Sequence, residues 1–473
     1  MDTIIGRDNE IRQLKAIEAS KSAEFIVIYG RRRVGKTFLI NQYFKDRFTF
    51  KLTGLANKDK DEQLANFGAA LRLFGAPSYG DPKNWREAFG TLRMFLEKKR
   101  GNAKKIVFID ELPFMDTPRS GLVTALEHFW NDWGCTRDDL ILIVCGSATS
   151  WITKKIIKNH GGLHNRLTRK IYLNPFNLYE CKQYLQYANI NFEDKDILEC
   201  YMILGGIPYY LSLLEKGKSL AQNIDELCFI RKGKLDGEFE NLYASLFEKS
   251  EDYIRVVEAL STKNMGLTRK EIISCTQIPD GGTLTQILDD LDNCDIIRKY
   301  DSFGNKERGA LYQLTDFYTF FYFKFIKKHG NSDKGFWGTN INTPIHNAWA
   351  GYAFEQLCLY HYPQIEKKLG ISGIYTQKSA WRSRQADNGA QIDLVISRAD
   401  HIINLCEVKY WSSPFTITKA YRQNLDNKVF SFMDETGKRA IHLIMITTFG
   451  LKQNEYSGIV QHEVVMEDLF EKA

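Results

Sequence analysis

Apolar residues gather along this chain in several distinct patterns. In the first 150 residues they form short unbroken runs at 25–29, 106–109 and 140–145. Runs of this length without polar alternation predict strands buried on both faces, as in a parallel sheet covered by helices. Positions 64–74 and 85–96 repeat their apolar residues at helical spacing, and the roughly 65 residues holding them suit a βαβ crossover that carries an extra helix and strand. Further on, 267–273 and 282–291 read as helices. The runs 296–300 and 311–314 then read as strands pairing across 302–305. Between 317 and 325 aromatic residues fall on every face of a helix, which predicts a buried core helix. Beyond a polar stretch at 329–340, the pattern changes to a helix around 353–358 and period-two strands at 391–396 and 402–408.

These elements give an α/β multidomain protein. A chain of 473 residues exceeds what one hydrophobic core usually holds, and the elements divide at 1–175, 176–250, 251–328 and 338–473. Composition adds little to this. With 44% apolar and 13% aromatic residues the chain is globular, and a net charge of +6 from 64 basic and 58 acidic residues is a mild excess that does not by itself imply nucleic acid. Nine scattered cysteines with no Cys-x-x-Cys read as buried reduced thiols, which points to a cytoplasmic home. The acidic start Met1-Asp2-Thr3-Ile4-Ile5-Gly6-Arg7-Asp8 does not read as a secretory leader, and no apolar run approaches a membrane span, so no membrane partner is expected.

The candidate chemistry begins directly after the first apolar run. Gly30-Arg31-Arg32-Arg33-Val34-Gly35-Lys36-Thr37 is Gly-x4-Gly-Lys-Thr, leading into an apolar helix at Phe38. The two glycines let backbone amides wrap a nucleotide's phosphates at a helix N-terminus. Lys36 then reaches the outer phosphates, and Thr37 ligates magnesium. ATP and Mg2+ are therefore the expected cofactors. Hydrolysis also needs a carboxylate on the magnesium side and a group to orient water. Asp110 and Glu111, closing the 106–109 run, supply both. Ser147, after the 140–145 run, is placed to meet the γ-phosphate or the attacking water, with Thr149 beside it; capping the next helix is an equal use for these hydroxyls. Arg166 and Arg169 are candidates for sensing the γ-phosphate, since guanidinium fits phosphate oxygens in a fork. Oligomerisation decides whether Arg166 acts within its own chain or on a neighbour, and the expected macromolecular partners are a second copy of the chain in a homo-oligomer or another protein.

Together, Ile5-Gly6-Arg7-Asp8-Asn9-Glu10, the phosphate loop, Phe108-Ile109-Asp110-Glu111, Cys145-Gly146-Ser147, Asn165-Arg166, Leu173-Asn174-Pro175-Phe176 and Gly205-Gly206-Ile207-Pro208 resemble the archaeal-type ATPase family, in the signal-transduction branch of the AAA+ P-loop NTPases. The resemblance covers about residues 1–235. It implies an AAA+-like parallel sheet with a small helical lid, Ile5, Gly6 and Arg7 against the adenine, and Ser147 as the sensor residue.

Residues 251–314 read as a winged-helix segment. The functional use would place its second helix in a DNA major groove. That helix, however, carries Asp289, Asp290 and Asp292 and no base, which repels phosphates; only the wing is basic, with Arg298, Lys299, Lys306 and Arg308. Packing against the ATPase to relay its state is the favoured use.

In the last segment, Glu355 lies on the apolar helix, and Asp393 and Glu407 lie on neighbouring strands with 13 residues between them. Period two puts Glu407 and Lys409 on one face. Acids and a lysine converging on a sheet suit metal-dependent phosphodiester hydrolysis, with magnesium on Glu355, Asp393 and Glu407 and with Lys409 orienting water. The arrangement resembles the PD-(D/E)XK nuclease superfamily, and more narrowly the restriction-endonuclease-like domain that follows ATPases of this type. Gln423 on the next helix is a further candidate. The 14 acidic and 14 basic residues of 338–473 leave phosphate contacts to local clusters such as Arg382 with Arg384 or Lys419 with Arg422. The sequence therefore predicts an ATPase whose nucleotide state controls a nuclease-like domain on nucleic acid, DNA before RNA. The alternative is an ATP-driven switch whose nuclease-like domain binds without cleaving.

Overall fold

The structure is a computed structural model that describes residues 3–472 apart from 77–79, 102, 160, 164, 248, 264–265, 301–302, 304–309, 331–334, 384–389 and 438. His164, Lys306, Arg308, Arg384 and the turn at Ser302, Gly304 and Asn305 therefore lie outside the described residues. The chain forms two compact units, Met1–Pro175 and Phe176–Ala473.

The first unit is built on five parallel strands: β1 (Glu24–Tyr29), β2 (Phe48–Thr53), β3 (Lys105–Asp110), β4 (Leu140–Cys145) and β5 (Arg169–Tyr172), in the order β2-β3-β4-β1-β5. β3 and β4 are buried at every position, as their unbroken apolar runs require. Helices Lys60–Leu73 and Trp85–Lys98 fill the crossover between β2 and β3. The charged stretch ahead of the first of them is a capping box: Asp59 accepts from the Glu62 amide, while the Glu62 side chain accepts from the Asp59 amide. Phe67 meets Trp85 and Phe89 edge-on, and the three, with Phe25, Phe50 and Trp130, fill the core on one face of the sheet.

The second unit opens with helices Leu178–Tyr187 and Asp194–Leu204. Gly205 ends the latter at φ 70°, and Gly206 follows at φ 65°, where a Cβ would lie 2.2 Å from the Phe176 carbonyl oxygen. Further along, helix Ser250–Ser261 precedes β6 (Leu267–Thr268), helices Arg269–Thr276 and Gly282–Asn293, β7 (Ile297–Tyr300) and β8 (Leu311–Leu314). These strands form an antiparallel sheet in the order β6-β8-β7. The aromatic run follows as one helical turn, Phe317–Phe321, continued by a π-turn, Tyr322–Ile326. Phe321 and Phe325 pack edge-on against Trp337 and Trp349, and Asp225 fixes the Trp337 amide at 2.7 Å.

Helix Pro344–Tyr360 leads to β9 (Thr376–Arg382), β10 (Gln391–Arg398) and β11 (Ile402–Lys409), an antiparallel meander. After the short β12 (Phe415–Thr416), helix Lys419–Thr436 crosses to β13 (Ala440–Thr447), which runs parallel to β11. β14 (Leu451–Lys452) pairs with β12, and β15 (His462–Val465) completes the five-stranded sheet β15-β13-β11-β10-β9.

Two contacts tie the parts of this unit together. Phe303 donates its amide to the Ala380 carbonyl at 3.0 Å and sets its ring 5.0 Å from Phe432, within the core of the C-terminal sheet. His361, 1% exposed, accepts the Leu178 amide on Nε2 at 2.9 Å and turns Nδ1 to the Leu357 carbonyl at 2.9 Å. Nε2 must be bare to accept, so Nδ1 carries the proton.

Candidate functional site

In the first unit, every predicted strand-end residue lies at the carboxyl edge of the parallel sheet, where open α/β folds bind ligands. The loop from Gly30 to Gly35 joins β1 to helix Lys36–Phe44. Gly30 has φ 139°, and a Cβ there would stand 2.4 Å from the Leu173 carbonyl oxygen, so only glycine fits. Gly35, at φ 90°, caps the helix. Lys36 is buried and donates from Nζ to the carbonyls of Gly30, at 2.9 Å, and Arg31, at 2.7 Å. Thr37 Oγ1 donates to Asp110 Oδ2 at 2.8 Å, while Asp110 Oδ1 accepts the Glu111 amide at 3.0 Å. The hydroxyl and the carboxylate expected to share magnesium are thus already paired.

Glu111 takes a left-handed backbone at φ 48°, uncommon for a residue with a side chain. Its Oε2 accepts from both the amide of Ser147, at 3.1 Å, and its hydroxyl, at 2.9 Å. Ser147 therefore holds the acid, a partnership that the sequence reading did not foresee. Thr149 begins the following helix, and its buried Oγ1 has no hydrogen-bond partner among the described residues. Arg7, also buried and left-handed, donates to the Val34 carbonyl at 3.0 Å and the Asn174 carbonyl at 2.7 Å, clamping the loop to the end of β5. Ile5 and Gly6 are half-buried beside it. Arg31 and Val34 are buried, Arg32 and Arg33 are half-buried, and Phe38 is exposed. Arg166 and Arg169 are both exposed, and the guanidinium of Arg169 donates to the Thr168 carbonyl.

The second unit gathers a separate charged cluster. Glu407 on β11 is 5% exposed and is held from three sides: Lys409 Nζ at 3.1 Å, Lys428 Nζ at 2.7 Å and the Tyr421 hydroxyl at 2.6 Å. Burial works against its charge, yet Lys428 and Lys409 keep its carboxyl below the usual range. Asp393 on β10 accepts from the Gln391 amide group at 2.6 Å, and burial, with the charge of Glu407, pushes its carboxyl up. Glu355 is pushed well up by burial and then by Asp393. The three acids thus share one electrostatic neighbourhood. Among the described residues, however, no group of three or more His, Cys, Asp or Glu side chains is disposed to hold a metal ion. Glu407 is committed to cations of the chain itself, which leaves Glu355 and Asp393 over. Gln423 is exposed; Tyr421 and Lys428, seven positions apart and hence on one helix face, occupy the place expected for it.

Residues 4–214 match the family described as an ATPase domain predominantly from Archaea. That match, the parallel sheet and the loop geometry agree on a P-loop ATPase domain in this part of the chain, and the protein is an ATP-binding and ATP-hydrolysing enzyme. An uncharacterised protein of Methanocaldococcus jannaschii, MJECL04, is 24% identical over 402 residues, covering 83% of either chain. The Walker-type ATPase PABY2304 of Pyrococcus abyssi superposes with a TM-score of 0.50 at 18% identity, covering 68% of this chain and 96% of its own, which is a likeness of fold. Among the described residues, no helix is long and apolar enough to cross a membrane.

Proposed function

We propose that ATP turnover in the first unit governs a nuclease-like domain that handles nucleic acid. In the ATPase, Lys36 would hold the outer phosphates in place of its loop carbonyls, and Thr37 and Asp110 would hold magnesium, which would offset charge on the phosphates. Glu111 orients water once Ser147 releases it. The adenine lies towards Ile5, Gly6 and Arg7. The donor set suits this chemistry: one hydroxyl and one carboxylate at hydrogen-bond distance, beside a lysine and a glycine loop open to phosphate.

For the second unit, the observation that carries the reading is the succession helix, three-strand meander, crossover helix and parallel strand, with Glu355, Asp393, Glu407 and Lys409 converging on it. This is the order of the PD-(D/E)XK nucleases. The preceding helices with β6, β7 and β8 follow the order of a winged helix. The likeness to MJECL04 supports treating the chain as one functional whole, since its 402 residues far exceed the ATPase segment.

The test incubates labelled DNA and RNA with the protein and magnesium, with and without ATP. Nicking that Asp393→Ala, Glu407→Ala and Lys409→Ala each abolish is expected; cleavage that survives all three refutes the reading. A second reading, binding without cleavage, is favoured by the engagement of Glu407 with Lys428. It predicts nucleic-acid binding without nicking at any magnesium concentration.

A further inference from the structure

We propose that Arg298 on β7 and Lys378 on β9 form a phosphate-binding subsite for the backbone of a nucleic-acid strand, beside the acid–lysine cluster. The proposal rests on the nucleic-acid reading of that cluster and assigns it a substrate contact from outside the sheet that bears the acids.

The geometry begins with Arg298. Its guanidinium lies 5.3 Å from the ring centroids of both Tyr300 and Tyr360, and Nη1 donates to the Tyr300 hydroxyl at 2.6 Å. Aromatic faces hold a cation without neutralising it. Guanidinium carries five N–H donors in a planar fork, and one hydroxyl satisfies only one of them. Among the described residues, no carboxylate stands within ion-pair distance of Arg298; Asp292, on the helix before β7, accepts the Lys299 amide instead. Lys378 repeats the arrangement. Its ammonium lies 4.3 Å from the Tyr362 ring centroid; Glu366, within electrostatic reach, accepts from the Thr376 hydroxyl at 2.6 Å, and among the described residues no carboxylate stands within ion-pair distance of Lys378.

The two cations belong to one surface. Two residues along β9 from Lys378, the Ala380 carbonyl accepts the Phe303 amide, which fixes the end of β7 against β9. Tyr360 and Tyr362 flank His361 at the end of the helix that bears Glu355. From that same helix Tyr352 donates its hydroxyl to the Leu314 carbonyl on β8. Tyr300 lies within electrostatic reach of both Asp393 and Glu355. Two like charges side by side repel, and here each stands on an aromatic face with donors to spare. A phosphodiester supplies the missing anion, and its oxygens match the guanidinium fork. A strand bound here would run past Glu355 and Asp393.

The experiment uses the full chain in EDTA, so that binding is read without cleavage. Labelled 20-nucleotide single-stranded DNA, the matching duplex and an RNA of the same sequence are titrated from 50 to 300 mM KCl. The variants are Arg298→Gln, Lys378→Gln and the double substitution. Each lost phosphate contact should lower the slope of log affinity against log salt by about 0.7 to 0.9, and the double variant by roughly twice that. Lys378 is exposed, so Lys378→Gln folds even if Arg298→Gln does not, as circular dichroism records. An unchanged slope in Lys378→Gln overturns the proposal. So does a wild type that binds none of the three probes, or poly-glutamate competing as well as nucleic acid at equal charge. Nicking in magnesium is scored separately: a slope change without nicking removes the nuclease and leaves the subsite standing, whereas nicking with an unchanged slope does the reverse.

Discussion

Acidification should weaken the second unit through His361. Its imidazole is buried between the Leu178 amide and the Leu357 carbonyl, and desolvation pushes its pKa from 6.5 down to about 4. A proton on Nε2 would also turn an acceptor into a donor facing the donor of Leu178. The folded state therefore binds this proton less readily than the unfolded chain. The stabilisation is fully present above the unfolded pKa of 6.5 and is lost as pH falls through the window down to about 4. A displacement of roughly 2.5 pKa units is worth about 3.4 kcal/mol at completion, of which about 2 kcal/mol is already gone at pH 5. The assay compares urea unfolding of wild type and His361→Gln at pH 7, 6, 5 and 4.5. A glutamine can accept from Leu178 and donate to Leu357 while staying neutral throughout. Relative to that variant, wild type should lose about 2 kcal/mol between pH 7 and 5. Parallel stability curves for the two proteins would refute the reasoning.

Three further outcomes are expected. Lys36→Ala removes a charge-assisted contact to each of two phosphates, roughly 1.5 to 3 kcal/mol apiece, so phosphate release from ATP should fall at least about 100-fold; activity within tenfold of wild type would exclude the assigned role. Gly30→Ala places a methyl 2.4 Å from the Leu173 carbonyl oxygen and should abolish binding of a fluorescent ATP analogue, whereas Gly80→Ala, with nothing within 4 Å among the described residues, should leave it intact. Lys428→Gln removes one of the cations on Glu407 and should tighten Mn2+ binding, measured by calorimetry without nucleotide, by several-fold; unchanged affinity would mean that Glu407 is no metal ligand.

The phosphate loop and its sheet were legible because they depend on local signals: uninterrupted apolar runs, two glycines and acids at a strand end. Ser147 was singled out, but its partner was not, since the bond to Glu111 joins the ends of two strands and leaves no spacing to read. Arg7 likewise shows its clamp only after folding, because its two acceptors lie 27 and 167 residues away. Tyr421 and Lys428 did leave a signal. They share a face with the buried Leu425 and Phe432, whereas Gln423 is turned about 200° from Tyr421. The capping box of Asp59 and Glu62 left no distinct mark, because it has the same composition as a solvated charged run.

Phe303 bears on how this chain can be taken apart. Its ring belongs to the hydrophobic core of a sheet that begins more than 70 residues later, and its amide completes the edge of β9. A fragment starting at residue 338 would open a hole beside Phe432 and leave the Ala380 carbonyl without its donor. Expressed alone, such a fragment should aggregate or be clipped by proteases, while one starting at residue 176 should not. Recombination among relatives would face the same constraint: the hairpin and the C-terminal sheet must be inherited together.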